Sequence, residues 1–192
     1  LISPFGDVHD FRIDFSVPGL PGLTGPVAPH SLTQRPKYNL QGTLNPLGHF
    51  TGELAVDGAV HKTYTRHMLG KKDEHVACGG FTVEIRAWDR DRPGLTPYML
   101  EFDLGLSKVR TILDSYSGVS IYRDGFRVHP YGEQGNDWLQ LDNRSRQSPT
   151  SRLANNQIIA AIRISRDSNP DLVDRTTREG LIHNAAYDAL TD

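Results

Sequence analysis

With one cysteine in 192 residues, no internal disulfide can staple this chain, and that usage fits a reducing cytoplasm. No apolar run approaches membrane-spanning length and no signal peptide is visible, so a membrane role is not expected. A dominant charge sign is missing as well. The 21 Lys and Arg stand against 23 Asp and Glu, and a net charge of -2 argues against a dedicated nucleic-acid binder, although local patches remain open. There is no Gly-x-x-x-x-Gly-Lys-Ser/Thr loop to cradle phosphates, no Gly-x-Ser-x-Gly elbow to expose a nucleophile, and no His-Glu-x-x-His pair for zinc. Lysine is absent after Lys108, so every later cation is Arg or a charged His. Arg is the better residue for bidentate recognition of phosphate.

What is present is a globular composition, 37% hydrophobic, long enough for one domain of moderate size or two small ones. The chain opens on Leu1 and is expected to be a piece of something longer. Phe11, Ile13, Phe15 and Val17 alternate with polar residues as a half-buried strand does. Residues 18–36 are rich in Gly and Pro and read as a long surface loop. Tyr38 to Leu44 and Phe50 to Val60 flank Asn45-Pro46-Leu47-Gly48, a hairpin pattern, and residues 62–75 read as a loop. Phe81 to Trp88 is another strand, ended by the charged turn signal Asp89-Arg90-Asp91-Arg92-Pro93-Gly94.

Leu106, Val109, Ile112, Leu113 and Tyr116 share one face at helical spacing, so a helix is predicted over 107–117, with Gly118 at its left-handed C-terminal position. Val119, Ile121, Phe126 and Val128 flank Asp124-Gly125, a hairpin signal because both turn residues tolerate positive φ. The polar stretch 134–151 is expected to dock through Trp138, Leu139 and Leu141, and Ile158 to Ile164 reads as a buried strand. Asn169-Pro170 starts a loop into a last helix, whose apolar face would be Leu181, Ile182, Ala185, Ala186, Ala189 and Leu190. These elements define an α+β fold with a mixed sheet covered by helices on one face. Residues 1–77 would add strands, a hairpin and loops to a core over 78–192.

That last helix carries the candidate site. Thr176 and Glu179 have the spacing of a capping box, which satisfies two backbone N–H groups at a helix start. Arg178 would then lie in the first turn, where the helix dipole disfavours a cation. A bound anion resolves the conflict, because N–H groups, dipole and guanidinium together suit a phosphate. An exposed Arg whose long stem carries its charge away from the helix end fits the same pattern. Three other groupings carry chemistry-bearing side chains. His49, His61, His67 and His75 lack regular zinc spacing; Asp89 and Asp91 fit solvated turn residues as well as an acid and a base; Cys78 precedes two glycines in a strand approach. A nucleic-acid module would draw on Arg144, Arg146, Arg152, Arg163 and Arg166, and a partner-docking or dimerisation module without a nucleotide role stays open.

From Cys78 to Leu190 the chain resembles a known family. The segments Gly118-Val119-Ser120-Ile121-Tyr122-Arg123-Asp124-Gly125-Phe126-Arg127-Val128, Asp137-Trp138-Leu139, Asn155-Asn156-Gln157-Ile158 and Arg178-Glu179-Gly180-Leu181 are similar to the second domain of GHKL-type, histidine-kinase-like ATPases. That superfamily includes DNA gyrase B, MutL, the MORC proteins and heat-shock chaperone ATPases. The resemblance implies a transducer domain of ribosomal-protein-like β-α-β fold, with a left-handed crossover, following an ATP-binding domain. It also implies that Arg178, with Thr177 beside it, meets the γ-phosphate of ATP held with Mg²⁺ in the upstream domain. A homodimer is compatible with it. The Asp-x-Gly-x-Gly adenine loop and the Glu/Asn-bearing Mg²⁺ helix of such ATPases do not occur here, so this chain alone is expected neither to bind ATP tightly nor to hydrolyse it.

Overall fold

The computed structural model of the chain describes residues 4–5, 14–15, 25–26, 28–71, 74–148, 152–176 and 179–192. β1 (Asp14–Phe15) and β2 (Gly25–Pro26) form a small antiparallel ribbon. The rest of the strand expected around Phe11 to Val17 lies outside the described residues. The stretch expected to be a plain surface loop also holds a turn of 3-10 helix, Ser31–Gln34, with Leu32 and Thr33 buried. Four residues show no periodicity, so this burial is set by what packs on them and leaves no pattern to read.

β3 (Tyr38–Leu44) and β4 (His49–Val56) form the expected hairpin. β4 then ends at an Asp57-Gly58 turn, both residues at positive φ, and β5 (Ala59–His67) returns along it. Residues 62–67, expected as loop, are therefore strand. β5 is the outer edge of the sheet and mostly exposed, so no buried face imposes alternation on its sequence. β6 (Phe81–Ala87) leads into α1 (Arg92–Glu101), where a turn alone was expected. Asp91 caps α1 by accepting from Gly94 N–H, and Pro93 sits in the first turn, where a missing N–H costs little. Pro97 removes one interior hydrogen bond, and the helix continues through it.

α2 (Leu106–Tyr116) is the predicted amphipathic helix. β7 (Gly118–Arg123) and β8 (Phe126–Val128) follow, joined by Asp124-Gly125 with φ of 49° and 84°, the signs that a two-residue hairpin turn requires. Gly118 has φ of 111° but belongs to β7, while Ser117 closes the helix. α3 (Leu141–Gln147) starts where both Asp137 carboxylate oxygens accept the first N–H groups, from Leu141 and Asp142 at 2.8 Å each. This fixes Trp138 and Leu139 against the core, as expected from their apolar character. β9 (Ile158–Ile164) is the buried strand, and α4 (Ala185–Thr191) ends the chain.

The seven-stranded mixed sheet runs β5-β4-β3-β6-β9-β7-β8, with β7 and β9 parallel and the other neighbours antiparallel. The fold class is α+β. Strand alternation divides β9 between two cores. Ile158, Ala160, Ile162 and Ile164 join Val119, Ile121, Leu172, Leu181 and the α4 residues Ala186, Tyr187 and Leu190. Ile159 and Ala161 face the other way, with Trp88, Leu95 of α1 and Val109, Ile112 and Leu113 of α2. The helices thus cover both faces, not one. Each fully buried Ile contributes about 1.5–3 kcal/mol, so a strand buried on both sides anchors the whole sheet. Among the described residues no helix is long and apolar enough to cross a membrane.

Candidate functional site

The segment after β9 begins with a fixed point. Asn169, 2% exposed, donates from Nδ2 to the carbonyls of Cys78 (2.6 Å) and Gly80 (2.9 Å) and accepts from Ser165 N–H (3.0 Å). Leu172 is buried, and its carbonyl accepts from Nη2 of Arg123. Arg123 Nη1 lies 2.8 Å from Asp174 Oδ1. Asp174 then bridges antiparallel to Leu181. Arg175 N–H donates to Gly180 C=O at 3.0 Å and Ile182 N–H to Val173 C=O at 2.8 Å, so residues 173–175 lie antiparallel to residues 180–182. Leu181 N–H donates to Tyr131 Oη (3.0 Å), and Gly180, at φ of 90°, passes close to that hydroxyl.

This geometry corrects the expected helix start. α4 begins at Ala185, capped by the Asn184 side chain accepting from Tyr187 N–H at 3.0 Å. Thr176 and Glu179 open no helix: the chain bends at Glu179 and Gly180, and Leu181 belongs to the antiparallel bridge. The capping-box spacing was outweighed by burial of Leu181 and by the Tyr131 hydroxyl, which hold Leu181 in the bridge. The dipole argument for a cation in a first turn loses its helix. Arg178 and Thr177, the residues expected to meet phosphate, lie outside the described residues.

Beside this loop, a cavity of about 840 Å³ opens between the β7–β8 hairpin and residues 166–176. Arg123, Arg127, Arg166 and Arg175 line it with Asp124 and Asp174, four guanidinium groups against two carboxylates, a local excess of two positive charges. Thr176 is on its wall and Phe126 on its rim. Arg123 is 8% exposed, yet its Nε has no hydrogen-bond partner, and neither has the buried Nη2 of Arg127. Arg127 is oriented by donation from Nε to Tyr131 C=O at 3.1 Å, and Arg175 by donation from Nε to Leu181 C=O at 3.2 Å. Asp174 Oδ1 meets Arg123 without the alignment of a hydrogen bond. Fixed guanidinium groups with unsatisfied donors suit an oxyanion.

The other candidates resolve differently. His49 and His67 face each other across β4 and β5 with ring centres 4.9 Å apart, but among the described residues no three His, Cys, Asp or Glu are placed to share a metal ion. Asp89 pairs with Lys37 at 2.6 Å and Asp91 caps α1. Cys78 is fully buried, and burial pushes its thiol up to about 11, opposed by a backbone hydrogen bond, so it is no nucleophile at neutral pH. Arg163 pairs with Glu84 beside Arg86, and Arg144 donates to Thr191 C=O at the end of α4. Of the arginines first gathered for nucleic acid, Arg166 lines the cavity and Arg144, Arg146, Arg152 and Arg163 do not.

Sequence reasoning missed Arg123, Arg127 and Arg175 as a group. Arg123 and Arg127 flank the Asp124-Gly125 turn, and Arg166 and Arg175 flank the Asn169 loop, so two arginine-bracketed turns were the available signal. Only the parallel pairing of β7 with β9 brings those turns to one end of the sheet. No family model matches the chain, and no match to it was found among curated proteins or solved structures.

Proposed function

We propose that this chain is the transducer portion of a GHKL-type ATPase, contributing Arg178 to the γ-phosphate of ATP bound in a separate upstream domain. The supporting observation is the antiparallel pairing of residues 173–175 with 180–182 beside the arginine-lined cavity. That pairing is anchored by Asn169, by the Arg123–Asp174 pair and by the Tyr131 hydroxyl, and Thr177 and Arg178 stand between its two limbs in sequence. Anchored residues on both sides in sequence favour a guanidinium held in position, as charge stabilisation of a phosphoryl transfer requires. This anchoring replaces the helix dipole as the physical rationale.

In this reading the first domain supplies the nucleotide and Mg²⁺ sites, and this chain supplies the arginine and the lever. Loss of the γ-phosphate releases Arg178 and lets the two domains shift, a hinge switch. The decisive experiment measures the ATPase rate of the longer parent protein against its Arg178→Ala variant, with the present chain as blank. The expected result is turnover by the parent, none by the chain and a loss of about tenfold or more in the variant. A variant as active as the parent overturns the assignment. A stable oligomer of this chain, indifferent to nucleotide in the parent, would point instead to a dimerisation or docking module.

A further inference from the structure

We infer that the cavity between the β7–β8 hairpin and residues 166–176 is an oxyanion site belonging to this chain itself, and that it takes a phosphate group. The site is complete without Arg178, so it stands or falls separately from the transducer reading.

Charge is the first argument. The lining carries four arginines and two aspartates in a chain whose net charge is -2, so cations have been concentrated here against the overall balance. Unmet donors are the second. Arg123 is more than nine-tenths buried and committed by its Nη groups to Leu172 C=O and Asp174, which leaves Nε–H without an acceptor. Arg127 is held through its Nε and has Nη2 buried and unpartnered. Buried guanidinium donors are seldom left unmatched, and an anion in the cavity matches them.

The shape of the donor set selects the anion. Arg123 comes from β7, Arg127 from β8 and Arg166 from the segment after β9, so donors converge from separate elements. A planar carboxylate presents two oxygens in one plane, whereas a tetrahedral phosphate offers acceptors in several directions. Arg166 is exposed, and its backbone N–H donates to Asp124 Oδ1 at 3.3 Å, which ties its segment to the hairpin turn and leaves the side chain to reach the ligand. The phosphate can be free or the end of a nucleotide. Phe126, 81% exposed on the rim, offers a ring on which a base can stack.

The test titrates the 192-residue chain with inorganic phosphate at low ionic strength, following arginine Nε–H resonances by two-dimensional NMR. A saturable shift of the Arg123 Nε–H is expected, with affinity in the range of about 1 mM. Arg166→Gln, a substitution at an exposed side chain, weakens binding about fivefold or more, and Arg127→Gln with Arg166→Gln removes it while near-ultraviolet circular dichroism stays native. ADP is the second arm. If it binds more tightly than phosphate and Phe126→Ala cancels that gain, the natural source is a nucleotide; equal binding of the two identifies free phosphate. Absence of a saturable shift, or an Arg166→Gln variant that binds phosphate like the wild type, overturns the inference. So do equal responses from Arg144 and Arg146, which are outside the cavity.

Discussion

At the scale of single residues, Asn169 and Cys78 explain each other. The Asn169 amide satisfies the Cys78 and Gly80 carbonyls, and that bonded layer helps to seal the thiol from water. Burial raises the Cys78 thiol to about 11 from an ordinary 9.0, which gives stability a pH dependence. The folded state holds its proton more tightly than the unfolded chain, so the contribution is complete below about 9 and is lost as pH rises toward about 11. Urea melts across that window are expected to show wild-type stability falling more steeply than that of Cys78→Ala. Parallel curves would mean that the thiol titrates alike in both states. Tyr187, whose phenol is raised by burial and then by Tyr131, acts in the same direction at higher pH, so the comparison with the Cys78 variant is essential.

At the scale of elements, the decisive piece is the loop between Asn169 and α4. Its return limb is held by the Leu181 N–H to the Tyr131 hydroxyl and by an aromatic group in which Tyr131, Trp138 and Tyr187 meet, with His183 stacked on Tyr187 at 4.3 Å. Tyr131→Phe keeps the ring and removes the acceptor, leaving a buried N–H unpaired. The expected cost is about 1–3 kcal/mol, together with faster hydrogen exchange at the Leu181 amide. If exchange there stays at the wild-type rate, the hydroxyl is not what fixes the loop. The same loop explains a misread boundary: Thr-x-x-Glu spacing describes a local preference, and a buried Leu181 with a fixed acceptor outweighs it.

At the scale of the whole molecule, two cores share one central strand. Ile158, Ala160, Ile162 and Ile164 serve one, Ile159 and Ala161 the other, so neither can dissolve while β9 stays ordered. The two tryptophans of the chain report on opposite faces, Trp138 packed against the first core and Trp88 buried in the second. Trp88→Phe and Trp138→Phe proteins, each with one remaining indole, are therefore expected to give coincident urea transitions by fluorescence and by far-ultraviolet circular dichroism. Separate midpoints in the two probes would show that the faces unfold independently. The edge strand β5 is mostly exposed and is expected to add little to that transition.

The sequence by itself determined the elements whose pattern is local: the hairpin at Asp124-Gly125, the amphipathic α2, the buried run of β9 and the α+β class. Each depends on neighbours within a few residues, where periodicity and turn chemistry suffice. Tertiary structure decided the rest. It made a strand of 62–67 by pairing it to β4, allowed a helix at 92–101 despite its prolines, put helices on both faces and moved the last helix start to Ala185. It also built the arginine-lined cavity, because Arg123, Arg127, Arg166 and Arg175 come from two turns far apart in the chain. Only the register of β7 on β9 joins those turns, and register is fixed by burial across the sheet, which no local pattern records.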